Sequence, residues 1–448
     1  MIRGMRLTHI QYLRLPFGPL LSYDLDVGAV GDRLPVSFDQ ARHVGEGDRP
    51  GSWMALSFRL PGPVPRGELA AAWEHVVARH GTLRTVFTPG PGGDADPAGA
   101  QLHQVRFGPG AWIEHRVEPG ETMHAAVQRV LDASCAPFER PAHRLCLIET
   151  ADGPALVIGS DHSHVDMWSM LVLARDLVAA LEAIGAGAEP GVEPAPDFTD
   201  HTRSLARQAP APDGVGRRWA QLIEAGGGAM PRFGLPLGDP SPQPERVEVR
   251  DVLGTAALAD FSAQAKEAGV STLALSVAMM TETTAALAGE PLRAVFPVHS
   301  RTEPRWFDAV GWFITNSVLE SADPDPRACA AAVKEAIALG SWPLAPLMEP
   351  FGGMPQAPGM FAVSWLDLRR LPVQLPATVL EPQYVSAAIR TDSVMLWFIL
   401  DEAGVHLRCR YPDTGQARRN VGAWLDDLVA RMRRRATKPG AAPPIIND

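Results

Sequence analysis

Between residues 160 and 169 the chain reads SDHSHVDMWS, which places Asp161, His162, His164 and Asp166 within six positions, directly after the apolar run ALVIG. Residues of these types at this spacing support three chemistries. A histidine with an ordinary pKa near 6.5 is a neutral base at pH 7 and takes a proton from an attacking hydroxyl or amine. Closely spaced histidines and a carboxylate also hold metal ions. The plainest alternative is that the polar groups satisfy backbone at a strand end, and this is the reading preferred for His164 and Asp161 taken singly.

The flanking residues say how the cluster is presented. ALVIGSD has the character of a buried strand and MWSMLVLARDLVAAL that of a helix, so His162 stands at a strand-to-helix junction beside a helix N-terminus. Asp166, four residues on, is placed to anchor that loop through an arginine. The metal reading rests on His162, His164 and Asp166 as His-x-His-x-Asp, the opening of the motif of metallo-β-lactamase-like hydrolases, which continues with a histidine where this chain has Met167. Further ligands would have to come from His201, His299 or His406. Trp168 and the SMLVLARDLV stripe read as core packing, and Cys135 and Cys146 have no neighbouring base to make a nucleophile.

Composition narrows the field. A chain of 448 residues that is 46% hydrophobic has enough apolar side chains for two or three domains. The net charge of −10 and a pI of about 5.7 argue against general attraction to nucleic acid or anionic membrane. Cys135, Cys146, Cys329 and Cys409 form no CxxC pair, which argues against a structural zinc or a disulfide framework and for a reducing cytoplasm. The N-terminal residues lack a signal-type apolar region, and no apolar run reaches the roughly 18 residues of a membrane span.

Glycine and proline gather at 88–100, 185–196 and 234–246, which read as loops, the last two bracketing a helical stretch. The first half alternates strand and helix: SWMALSFRLPG as a strand, then a helix with Leu69, Trp73, Val76 and Val77 on one face, then AWIEHRVE as a strand. A helix over Thr122 to Asp132, strands at 144–149 and 154–160, and the helix after His162 complete it. The second half repeats the logic, with helices in VSTLALSVAMMTETTAALAG and DPRACAAAVKEAIALG and strands in LRAVFPVHS, MFAVSWLDL and VMLWFILDEAGVHLRCRYP. The expected organisation is two α+β halves, 1–185 carrying His162 and 246–448, joined by a linker or crossover over 186–245.

The ordered series of motifs resembles the condensation-domain superfamily, whose core signature is HHxxxDG. Asp161 and His162 stand at the two histidine positions, Asp166 at the aspartate and Met167 at the glycine. Upstream, RHGTLRT supplies Arg79, His80, Leu83, Arg84 and Thr85 of the RHxxLRT turn. Downstream, FPVHSRTEP resembles the PVxxR strand with Arg301, and VGWFITN the GxFxN segment with Gly311, Phe313 and Asn316. VSWLDLRRLP, with Ser364, Asp367, Arg369 and Arg370, is similar to polyketide-associated acyltransferases, as is the DHxHxD form of the core motif. The resemblance runs from about residue 35 to about 430, leaving no room for an adenylation or carrier domain.

That resemblance implies two chloramphenicol-acetyltransferase-like halves forming a V around a substrate tunnel, with His162 as the catalytic base at its centre. Asp166 would be structural and paired with Arg301, with Asp161 as a further support, while Met167, Trp168, Asn316 and Ser364 would line the tunnel. It implies a free-standing acyltransferase of specialised metabolism that moves an acyl group from a coenzyme A or phosphopantetheinyl carrier-protein thioester to an alcohol or amine, with no bound cofactor or metal. Two departures bear on this. Asp161 in place of a histidine needs a cationic or hydrogen-bonding partner, and Met167 in place of glycine narrows or reshapes the acceptor side. A degenerate member that binds a carrier protein or acyl ligand without turnover, and the metal-dependent hydrolase, are the alternatives.

Overall fold

The computed structural model describes residues 5–90, 99–191 and 193–437. The first half of the chain contains β1 (Arg6–His9), β2 (Leu20–Leu34), α1 (Phe38–Val44), β3 (Trp53–Arg59), α2 (Arg66–Arg79), β4 (Thr85–Thr88), β5 (Gln101–His115), α3 (Met123–Ser134), β6 (His143–Ile148), β7 (Ala155–Asp161) and α4 (Met167–Gly185). Helices α5 (Phe198–Ala206) and α6 (Asp213–Ala225) follow. The remainder holds β8 (Gln243–Gly254), α7 (Thr255–Glu267), α8 (Thr272–Ala288), β9 (Leu292–His299), β10 (Ile314–Ser321), α9 (Pro326–Leu339), α10 (Leu344–Met348), β11 (Phe361–Asp367), α11 (Ala377–Leu380), β12 (Gln383–Ser386), β13 (Arg390–Thr391), β14 (Val394–Asp401), β15 (Gly404–Pro412) and α12 (Gly415–Ala436).

Two sheets organise these elements, as expected of an α+β chain in two halves. The first runs β1-β12-β3-β7-β6-β2-β5-β4 and the second β10-β9-β11-β14-β15-β8-β13. Strand β12 comes from the second half of the chain yet pairs parallel with β1 and antiparallel with β3 in the first sheet.

Burial explains the layers. Strands β6 and β7 are buried at every position, because helices cover both faces of the first sheet. On one face α3 packs Val127, Val130 and Leu131 against Ala55, Cys146 and Val157. Gly159 in β7 lets α3 come that close: a Cβ there would stand 2.5 Å from Leu131. On the other face α2 and α4 pack Leu69, Trp73 and Leu173 with Leu56 and Ile158, and Val310, Leu368 and Tyr384 of the second half close this same cluster. The second sheet has its own core with α7, α8, α9 and α12.

The expected strands and helices occur, with two differences of extent: AWIEHRVE falls at the end of a strand that already begins at Gln101, and β8 begins inside an expected loop. The glycine- and proline-rich stretch 234–246 ends in β8, whose residues from Gln243 pair with β13 and β15. Pro244 is tolerated there because β8 lies next to the sheet edge, and the outward charged residues hide its strand character. Part of the expected loop 88–100 lies outside the described residues. No single helix among them is long and apolar enough to cross a membrane.

Several buried histidines are held neutral. Burial lowers His143 to about 3 and His201 and His406 to about 4, so below pH 6.5 the unfolded chain binds protons that the native state refuses. Stability should therefore fall as the pH drops from 6.5 toward 4. Urea denaturation at about pH 7.5 and pH 5.5 should differ by roughly 1 kcal/mol per histidine; equal midpoints would contradict the burial of these rings as neutral species.

Candidate active site

The junction after β7 is built around the carboxylate of Asp166. Helix α4 begins at Met167 and needs an acceptor for its free N–H groups, and Asp166 provides it, accepting from the Ser169 amide at 2.7 Å. Its second oxygen accepts from Arg301 Nη1 at 2.5 Å and from the Phe313 amide at 3.1 Å. Arg301 also donates to Ser169 Oγ at 2.7 Å and to the Ala309 carbonyl at 3.2 Å. Ser169 Oγ in turn donates to the Gly311 carbonyl and accepts from its amide. The guanidinium lies 4.0 Å over the ring of Phe313 and 5.1 Å from that of Trp168. A Cβ on Gly311 would stand 2.4 Å from Phe198, so only glycine fits where this segment passes α5. Burial alone would raise the Asp166 pKa, but Arg301 outweighs it and holds the carboxyl below its usual range.

This clamp spans the halves and frames the loop that carries His162. The His162 amide donates to the Ser52 carbonyl at 3.1 Å, and Nδ1 is 2.9 Å from the Val165 carbonyl. A carbonyl only accepts, so the proton sits on Nδ1 and the lone pair on Nε2, for which no hydrogen bond is found among the described residues. The ring stacks on the indole of Trp312 with centroids 4.1 Å apart. Burial, and next the neighbouring His43, lower its pKa below the ordinary histidine value.

Asp161, the residue at the first histidine position, is fully buried and has the partner that its burial demands. His43 Nε2 lies 3.1 Å from Oδ2, while the Ser163 amide and hydroxyl donate to Oδ1 at 2.9 and 2.5 Å. Arg49 Nη2 donates to His43 Nδ1 at 2.9 Å, which leaves Nε2–H to point at Asp161. Burial raises the carboxyl, but His43 and the Ser163 and Ser52 hydroxyls more than offset it and keep Asp161 ionised. His43 is brought there by α1, a short helix opened by a reciprocal cap between Ser37 and Gln40; Gln40 Nε2 also donates to the Ser163 carbonyl at 2.8 Å.

Asp161, His162, Asp166 and Arg301 thus meet at one junction. Met167 is half-buried at the edge of the first half's core, and its carbonyl accepts from Tyr384 of the second half at 2.8 Å. Trp168 is buried and donates to the Phe307 carbonyl at 3.1 Å. Asn316 lies on β10 and Ser364 on β11, both half-buried and without side-chain hydrogen bonds among the described residues. The RHGTLRT turn fastens helices: His80 bonds Asp176 of α4 at 2.8 Å, and Thr82 donates to the Val310 carbonyl at 2.6 Å. Arg369 pairs locally with Asp367 at 2.8 Å.

The three residues of the metal-hydrolase alternative do not converge on a common point. Among the described residues no three His, Cys, Asp or Glu side chains converge to hold a metal ion. His164 Nδ1 bonds Ser163 and its ring packs edge-on to Phe87, while both Asp166 oxygens are occupied. Consecutive polar residues at a tight turn point in different directions, which a linear His-x-His-x-Asp motif does not reveal.

Sequence reasoning missed His43, Arg49, Asp176 and Trp312. The only signal for the first was SFDQ, a Ser-x-x-Gln helix start just ahead of it; Trp312 occupies a variable position inside a motif.

A family model described as "Condensation domain" matches residues 43–336, well over half of the chain. The chain belongs to the condensation-domain family. It is 32% identical over 310 residues to a probable non-canonical nonribosomal peptide synthetase CymA of Salinispora arenicola, covering 65% of this chain and 4% of that protein. With the isonitrile lipopeptide synthase of Mycobacterium tuberculosis it shares 28% identity, covering 64% of this chain and 12% of the synthase. The chain therefore spans only a small part of those relatives. It is 24% identical over 436 residues to acyltransferase PapA3 of Mycobacterium tuberculosis, covering 90% of this chain and 89% of that one. Among solved structures, PapA2 acyl transferase superposes with a TM-score of 0.84 at 18% identity, covering 97% of this chain and all of that one. The fold is the V of two halves found in these structures.

Replacing one member of the buried pair isolates the other's charge. Arg301→Ala and Asp166→Ala should each lose about 3–5 kcal/mol of unfolding free energy, read by chemical denaturation. A loss under about 1 kcal/mol, the scale of a surface pair, would refute the clamp.

Proposed function

We propose that this condensation-domain protein moves an acyl group from a thioester to an alcohol or amine. The observation that carries this is the His162 ring: Nδ1 is pinned to the Val165 carbonyl, Nε2 is unengaged, and burial favours the neutral form. Such a ring is a base of defined direction near neutral pH. Nε2 takes the proton of the acceptor hydroxyl or amine as its oxygen or nitrogen attacks the thioester carbonyl. The tetrahedral intermediate then collapses, the C–S bond breaks, and the leaving thiolate recovers the proton from His162.

In this reading Asp166 and Arg301 hold the loop, Asp161 orients it through His43 and Ser163, and Met167, Trp168, Asn316 and Ser364 line the substrate path. The donor is an acyl-coenzyme A or a phosphopantetheinyl carrier protein, the latter making a carrier protein a partner, and the acceptor is a small molecule. The similarity to synthetases and to PapA3 supports a place in specialised metabolism. The work divides among 1–185 with the base, 186–245 as crossover and 246–448 as the second wall, in the cytoplasm.

Thiol release from a panel of acyl-coenzyme A and acylated carrier-protein donors, with pooled amine and alcohol acceptors, tests the reading. His162→Ala should lower acceptor-dependent release by roughly 10²–10⁴-fold. Release no faster than the protein-free background, in the unaltered protein as in His162→Ala, would favour a binder of acyl ligands over this enzyme. The rate should also fall as the pH drops through the His162 pKa, with the acid limb centred below 6.5, because protonation removes the Nε2 lone pair. An acid limb above 6.5 would assign the essential base elsewhere.

A further inference from the structure

A cavity of about 260 Å³ is lined by Trp312, whose indole also stacks on the His162 ring, and lies between α1, α5 and the segments around β9, β10 and α10. Its walls are aromatic, with Phe38, Phe198, Trp306, Trp312 and Trp342 among them. Two polar atoms of wall residues are buried and receive no hydrogen bond: Asp39 Oδ1 and His201 Nδ1, in residues 8% and 4% exposed. Arg42 forms an ion pair with Asp39 Oδ1 at 3.6 Å but no hydrogen bond, and the bond that Thr315 makes to the carboxylate leaves Oδ1 without a donor. His201 bonds the Ser300 backbone, which leaves Nδ1 as an open acceptor on a neutral ring.

Both open atoms accept hydrogen bonds, so whatever fills the cavity must donate. Glu303 also lines it, and no Lys or Arg does among the described residues. Asp39 pairs with Arg42 and Glu303 with Arg305, so it is the two unserved acceptors and the electron-rich rings that favour an ammonium donor. An acyl chain here would offer no donor to Asp39 Oδ1 or His201 Nδ1. The cavity therefore suits the polar substrate rather than the acyl donor.

We infer that this cavity binds a small molecule through a protonated amine held by Asp39 and His201. This rests on the acyl-transfer reading, in which that molecule is the acceptor. A protonated amine has no lone pair for attack. The amine is thus an anchor, and a second hydroxyl or amine on the same molecule is the nucleophile. The acceptor class is amino alcohols and diamines.

Isothermal titration calorimetry with 2-phenylethylamine and its neutral counterpart 2-phenylethanol tests the assignment. The amine should bind at least tenfold more tightly than the alcohol, Asp39→Asn should erase that preference, and His162→Ala should leave it intact. Equal affinities for the two ligands, an unchanged preference in Asp39→Asn, or no saturable amine binding up to about 10 mM would each overturn it. Should Asp39→Asn fail to fold, the amine-to-alcohol ratio in the unaltered protein and its loss in His201→Phe decide. Absence of acceptor-dependent thiol release above background would sink acyl transfer while leaving amine selectivity standing, so the two failures are distinguishable.

Discussion

The buried ion pair between Asp166 and Arg301 is the constraint to which the rest of the site answers. Two charges removed from water are tolerated only when each is fully hydrogen-bonded, and here nearly every bond serves a second purpose. Asp166 caps α4 and receives the Phe313 amide; Arg301 reaches Ser169 and the Ala309 carbonyl. Because the carboxylate belongs to the first half and the guanidinium to the second, satisfying the pair sets the spacing of the two. The loop from His162 to Val165 hangs between that fixed point and the end of β7, which leaves little freedom for the ring of His162.

Asp161 is a second case of the same rule at smaller scale. A carboxylate buried at a strand end requires donors, and the chain supplies them from a distant segment, through a short helix that would be marginal on its own. The cap that nucleates α1, the Gln40 amide that ties it to Ser163 and the Arg49 bond that orients His43 together make an acid acceptable where the family signature has a histidine.

Much of this was legible in the sequence because it depends on local pattern. The helix at Leu69, Trp73 and Val76, the strands on either side of residue 150 and the strand-to-helix turn at His162 follow from periodicity and capping within a few residues. The pairing of Asp166 with Arg301 was expected only by resemblance, since no spacing rule connects residues 135 positions apart. His43 and Trp312 were illegible for a related reason: each acts through a contact made in space, His43 with Asp161 and Trp312 with the His162 ring. Strand β8 was obscured because its exposed positions carry Glu and Arg in place of the β-branched residues that mark interior strands.

Strand β12 has a consequence for how the halves relate. Among the described residues it is the only strand paired with β1, and it separates β1 from β3. A polypeptide ending before residue 383 would leave β1 with nothing to pair against and expose the long hydrogen-bonding edge of β3, an invitation to self-association. The two halves are therefore interlocked by a borrowed strand and are not autonomous folding units. Any widening of the space between them must occur as bending around β12, with the exchanged strand as its pivot, because parting them outright would tear the first sheet along its length.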